Sequence, residues 1–134
     1  MKRFLLALVL LPGCANPSSP RTHDPHIDIR SPDPVVRMQA MMAIAEARDY
    51  GSIPRLIESL RDPDQWVRHM AHTALIKLSD RDDLGYHFLD DRARRHEAIE
   101  RWERWYEQEG RKLGEEKAQR PAGEPSPGED EPKQ

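Results

Sequence analysis

The chain has 134 residues, with 21 basic and 24 acidic side chains and a formal charge of −3 at neutral pH. That length holds one small domain, and the acidic balance argues against a nucleic-acid partner, because phosphate binding runs on clustered Lys and Arg. One cysteine excludes an intramolecular disulfide.

At the N-terminus Lys2 and Arg3 precede an apolar run from Phe4 to Leu11. The run is too short to span a bilayer and has the positive-then-apolar order of a secretory signal. Residues 1–13 are therefore read as an address, separate from the fold. Without them 19 basic and 24 acidic side chains remain, a charge of −5. Residues 14–30 are mostly polar and suit a flexible tether.

The folded part is read as residues 31–109, and its main signal is a repeat. Ser31-Pro32-Asp33-Pro34-Val35-Val36-Arg37, with Ala40, Ala43 and Ile44, recurs as Asp62-Pro63-Asp64-Gln65-Trp66-Val67-Arg68, with Ala71, Ala74 and Leu75, each pair 31 positions apart. A fixed period of that size means stacked supersecondary units. Each copy opens like a helix: Ser31 or Asp62 as cap, Pro32 or Pro63 in the first turn, and Asp33 or Asp64 at the positive dipole end.

Behind these starts, Val36, Ala40, Ala43, Ile44 and Ala47 form one helical stripe, and Val67, Ala71, Ala74, Leu75 and Leu78 form its counterpart. The small alanines permit close helix approach. Between them a shorter helix is expected, with Ser52 as cap and Ile53, Leu56, Ile57 and Leu60 on one face. Helix, turn, helix is the unit. No comparable helix is expected before Ser31, so Ile27 and Ile29, or another protein, must cover that edge.

In the third segment Gly85-Tyr86 precedes a helix carrying Ala98, Ile99, Trp102, Trp105 and Tyr106 on one face. Beyond Glu109 the chain turns to Gly, Glu, Lys, Pro and Ser, and residues 110–134 are read as a disordered polar tail.

Two resemblances follow from these residues. Leu11-Pro12-Gly13-Cys14 resembles the lipobox of bacterial lipoproteins, although Pro12 departs from the usual small or aliphatic residue. The resemblance implies cleavage before Cys14 and acylation of its thiol and new amino terminus, with palmitate as a typical acyl group. It also implies a membrane partner through the lipid and an exported, envelope location, with Ala15 favouring the outer membrane. A plain signal-peptidase site and a free thiol near the cleaved end are the alternatives.

Residues 33–108 resemble HEAT repeats of the short bacterial type called HEAT-like or lyase-type, on Ile53 to Leu60, the Arg61-Asp62-Pro63-Asp64 turn, Trp66-Val67-Arg68 and the spaced alanines. The implied fold is all-α: a short right-handed α-solenoid of about two to three helical hairpins with disordered ends. In that family the turn Asp and the Arg four residues later build a ladder between adjacent repeats. Asp33 with Arg37, and Asp64 with Arg68, hold those positions; read from spacing alone they are solvated i,i+4 pairs. The third segment resembles the closing unit of exported arrays, with Tyr86, Trp102 and Trp105 sealing the end, as a solenoid requires.

Six histidines raise the question of metal binding. His69 with His72, or His23 with His26, brings two ligands together, but no local third ligand completes a site. The histidines are therefore placed on the surface or tether, and no metal is assigned. The acids from Asp80 to Asp91 read as turn and cap residues. With no nucleophile elbow, phosphate loop or triad spacing, neither enzyme activity nor cofactor is assigned.

Trp66 is the candidate partner-binding residue, with burial under the preceding turn as its alternative. The expected function is a membrane-anchored adaptor or scaffold for an unidentified protein partner. An accessory or lyase-like protein acting on a chromophore-carrying partner, and a self-associating envelope component, are the alternatives.

Overall fold

The structure, a computed structural model, describes residues 23–119. Every regular element among them is helical: α1 (Pro25–Asp28), α2 (Pro34–Glu46), α3 (Ile53–Ser59), α4 (Gln65–Ser79), α5 (Arg92–Trp105) and α6 (Arg111–Gln119). A 3₁₀ turn at Tyr50–Ser52 leads into α3, and a π-helical turn at Tyr106–Gly110 joins α5 to α6. This is the expected all-α short solenoid. The α2–α4 contact is the most extensive in the molecule, followed by α3 on α4 and α1 on α2, and α5 lies against α3.

The helix starts explain themselves locally. Asp33 caps α2 by accepting from the Val35 N–H at 2.9 Å, with Pro34 at the first helical position, where no N–H is needed. Asp64 caps α4 by accepting from Trp66 and Val67 at 2.8 and 3.2 Å. Both helices thus begin two residues later than the sequence reading placed them. Ser31 and Asp62 instead hold the turn: the Ser31 hydroxyl accepts from the Asp33 N–H at 3.2 Å and the Asp62 carboxylate from the Asp64 N–H at 2.9 Å. Ser52 stands at the cap position of α3, but its side chain does not cap; its hydroxyl donates to Asp49 at 2.5 Å.

The core runs continuously from Ile29 to Trp105. The α3 and α4 stripes are buried as their spacing predicts: Ile53, Leu56, Leu60, Val67, Ala71 and Leu75 are all fully covered. The α2 stripe is rotated. Ala40 and Ile44 are buried, but Met41 and Ala45 complete the set, whereas Ala43 is half-buried and Ala47 exposed. The helix on the outer side of α2 has only four residues, so its burying face is set mainly by α4.

Residues read as tether and tail also join the packed unit. Ile29 is buried while Ile27 is 70 % exposed, so one of the two isoleucines covers the α2 edge. His26 of α1 reaches Ser52 at 3.4 Å and Asp49 at 3.6 Å, which ties α1 to the 3₁₀ turn. At the other end Leu113 of α6 packs on the core, and Lys117 stands 5.9 Å from the centre of the Tyr50 ring. Gly110 permits this return: a Cβ there would lie 2.9 Å from Tyr106 and 3.1 Å from the Trp105 ring.

Candidate functional site

The repeated arginine does the same work twice. Arg37 donates from Nη1 to the Ser31 and Pro32 carbonyls at 2.8 and 3.1 Å, and Arg68 donates from Nη1 to the Asp62 and Pro63 carbonyls at 2.8 and 2.9 Å. Each then reaches forward into the next unit. Arg37 meets the Asp62 carboxylate, with Nη2 to Oδ1 at 3.0 Å and Nε to Oδ2 at 2.9 Å. Arg68 meets the Phe88 carbonyl at 3.3 and 3.1 Å. Asp33 and Asp64, the expected acid partners, are helix caps; the acid between the repeats is Asp62, and the second step has a backbone oxygen in its place. An Asp-Pro step looks the same in either role, so the sequence alone offers Asp62 as a cap.

The closing unit packs on α4 through its aromatic residues. Tyr86 is buried and its hydroxyl donates to the Leu60 carbonyl at 2.8 Å. Burial pushes its pKa up, and Arg68 and Arg95 pull the other way. Trp102 is fully buried and meets Trp105 edge to face at 5.4 Å. The turn before Tyr86 needs Gly85, whose φ of +73° follows the left-handed Leu84. Arg101 donates to the Leu84 carbonyl at 2.7 Å and locks that turn.

His72 corrects the surface assignment of the histidines. It is 9 % exposed, 4.9 Å from the Tyr86 ring and 6.2 Å from Trp102. Burial lowers its pKa, opposed by a backbone hydrogen bond to Asp83 and that residue's charge. His69, the other histidine of that i,i+3 pair, is exposed and packs on Phe88 at 4.5 Å. Among the described residues no three His, Cys, Asp or Glu side chains gather as a metal would require. A groove of about 1110 Å³ runs between α6, the end of α4 and Tyr50. Lys77, Lys112 and Lys117 line it together with Asp80, Glu109 and Glu116, a mixed charge that selects no one ligand.

Trp66 stands at the opening turn of α4 and is 55 % exposed, beside the fully buried Val67. Phe88 packs against it at 6.0 Å and His69 meets it edge-on at 6.5 Å. Leu89, next in sequence to Phe88, is 60 % exposed. Sequence reasoning singled out Trp66 but missed Phe88, which carries no periodic signal in its turn. Of the methionines, Met41 is core, Met38 and Met70 pack on the core edge, and Met42 is 46 % exposed. Cys14 and residues 1–13, expected from the sequence to be a signal, lie outside the described residues.

No curated protein and no solved structure gives a significant match to the chain. A family model described as HEAT repeats matches residues 26–102, more than half of its length. That span runs from α1 through Trp102 and takes in both arginine steps and most of the closing unit. HEAT repeats are helical protein-interaction modules, and by this match the chain belongs to the HEAT-repeat family.

Proposed function

We propose that the protein is a lipid-anchored adaptor of the cell envelope, held to a membrane through Cys14 and capturing a partner protein on the surface around Trp66. The observation that carries the binding half is the exposure of Trp66, 55 % open on a helix whose other large apolar residues are mostly buried. Exposed tryptophans dominate interface energetics, because a large rigid ring buries much area at little entropic cost. The anchoring half is supported by the order Lys2-Arg3, apolar run, Gly13-Cys14. Two or more acyl chains, at ~0.8 kcal/mol per buried methylene, hold a protein to a bilayer without a spanning segment.

Palmitate labelling tests the anchor: label should enter the wild-type protein and not Cys14→Ser, which should be released into the soluble fraction. Capture from crosslinked envelopes tests the surface. Trp66→Ala should lose the partner while keeping the wild-type unfolding midpoint.

A further inference from the structure

His72 sits at the joint between α4 and the closing unit. Its buried ring lies 4.9 Å from the Tyr86 ring and 6.2 Å from that of Trp102. Nε2 is buried without a hydrogen-bond partner among the described residues, and so is Nε1 of Trp102. One repeat earlier, 31 positions back, the same place holds Met41, fully buried and unable to take a proton. Of the two joints in the stack, the last is the one with a titratable ring in this place.

The charged groups acting on that ring are Asp83, His69 and His87. Asp83, in the turn after α4, favours the protonated form through its backbone and its carboxylate; His69 on the same helix and His87 in the turn oppose it. Arg68 and Arg95 act on the adjacent Tyr86, and α5 presents the uncharged Trp102 to the ring. Burial outweighs Asp83, so the closed joint favours a neutral imidazole.

The connection to the closing unit stores strain. Asp80 and Leu84 stand at φ of +51° and +50°, a left-handed region that is costly for a bulky side chain such as leucine. The ties across the joint include the Tyr86 hydroxyl to the Leu60 carbonyl, Arg68 to the Phe88 carbonyl, and an exposed pair of Arg61 with Glu103.

We propose that His72 is an acid-sensitive latch: a proton on its ring frees the closing unit, Gly85 to Trp105, from α4 while α2 and α3 stay packed. A charged imidazole between Tyr86 and Trp102 lacks the solvation that opening restores, and opening lets Asp80 and Leu84 relax. Phe88 leaves with the unit. Because it packs on Trp66 at 6.0 Å, the same proton removes one wall of the Trp66 face. That consequence rests on the adaptor reading of Trp66, whereas the latch does not.

Hydrogen exchange of the full chain at pH 7.5 and 5.5, corrected for intrinsic rates, tests the latch. Protection over residues 85–105 should fall up to about tenfold on acidification, the ratio set by one proton when the open ring has the ordinary histidine pKa and the closed ring a lower one. Protection of α2 and α3 should hold. His72→Gln keeps an uncharged polar side chain and His72→Met copies Met41; each should abolish the fall. An equal loss across α2 to α5, no fall in the wild type, or the same fall in both variants would overturn the latch. Crosslinked capture of the partner should weaken at pH 5.5 for the wild type and not for His72→Gln; wild-type capture unchanged at pH 5.5 would overturn the coupling to Trp66. If exchange behaves as stated and Trp66→Ala still captures the partner at both pH values, the latch stands and the adaptor reading falls.

Discussion

Arg37 of the first repeat and Asp62 of the second form a two-point ion pair, with side chains only 14 % and 12 % exposed. The same guanidinium holds the two turn carbonyls at the start of its own helix. One side chain therefore fixes a turn and spaces the next repeat.

Removing either partner leaves a largely buried charge uncompensated, which costs about 3 kcal/mol. Arg37→Ala and Asp62→Ala should each lower stability by that order in urea unfolding. The double variant should lose clearly less than the sum, because the two effects share one interaction. Additive losses would mean that the pair does not couple the repeats.

Tyr86→Phe removes the hydroxyl that satisfies the Leu60 carbonyl. The ring still fills its place, so helicity by circular dichroism should be unchanged while stability falls about 1–2 kcal/mol, the cost of an unsatisfied buried acceptor. A larger change in the unfolding midpoint than that would mean that the ring itself moves.

His72 makes stability pH-dependent. Its folded pKa lies below the ordinary 6.5, because burial disfavours the charged ring. The unfolded chain therefore takes up the proton first, and the contribution of neutral His72 is present above about pH 6.5 and lost as pH falls toward the folded value. The slope from one proton is at most about 1.4 kcal/mol per pH unit. Met41, at the equivalent position of the first repeat, is fully buried and uncharged. His72→Met should flatten this segment of the profile, measured by thermal unfolding between pH 7.5 and 5. A variant with the wild-type slope would assign the acid sensitivity to other groups.

Gly110→Ala places a methyl against Tyr106 and the Trp105 ring. Over-packing of this kind costs about 1–3 kcal/mol. The loss should appear first as faster amide exchange in α6, with α3 and α4 protected as before.

The fold was legible where one periodic pattern had one solution. The α3 and α4 stripes are apolar on a single face and have helices on both sides, so spacing alone located Leu56, Val67 and Leu75 in the core. The α2 face shifted because an edge helix turns toward its larger neighbour, which periodicity cannot report. Asp62 was misplaced because capping and bridging acids share the same Asp-Pro context, and only the stacked geometry separates them. α1 and α6 were missed because four residues and a charge-rich nine-residue segment carry little apolar signal of their own. His72 looked like a surface residue because its burial comes from Tyr86 and Trp102, distant in sequence. Trp66 stood out by type and position; Phe88 joins it only through the fold.

Photocrosslinking from position 66 tests the binding surface most directly. A photoreactive phenylalanine analogue replacing Trp66 in the full-length protein in cells should give one discrete adduct with a partner protein, and the same analogue at exposed Pro54 on α3 should give none. No adduct from position 66, or the same products from both positions, would contradict an adaptor that captures its partner at this face.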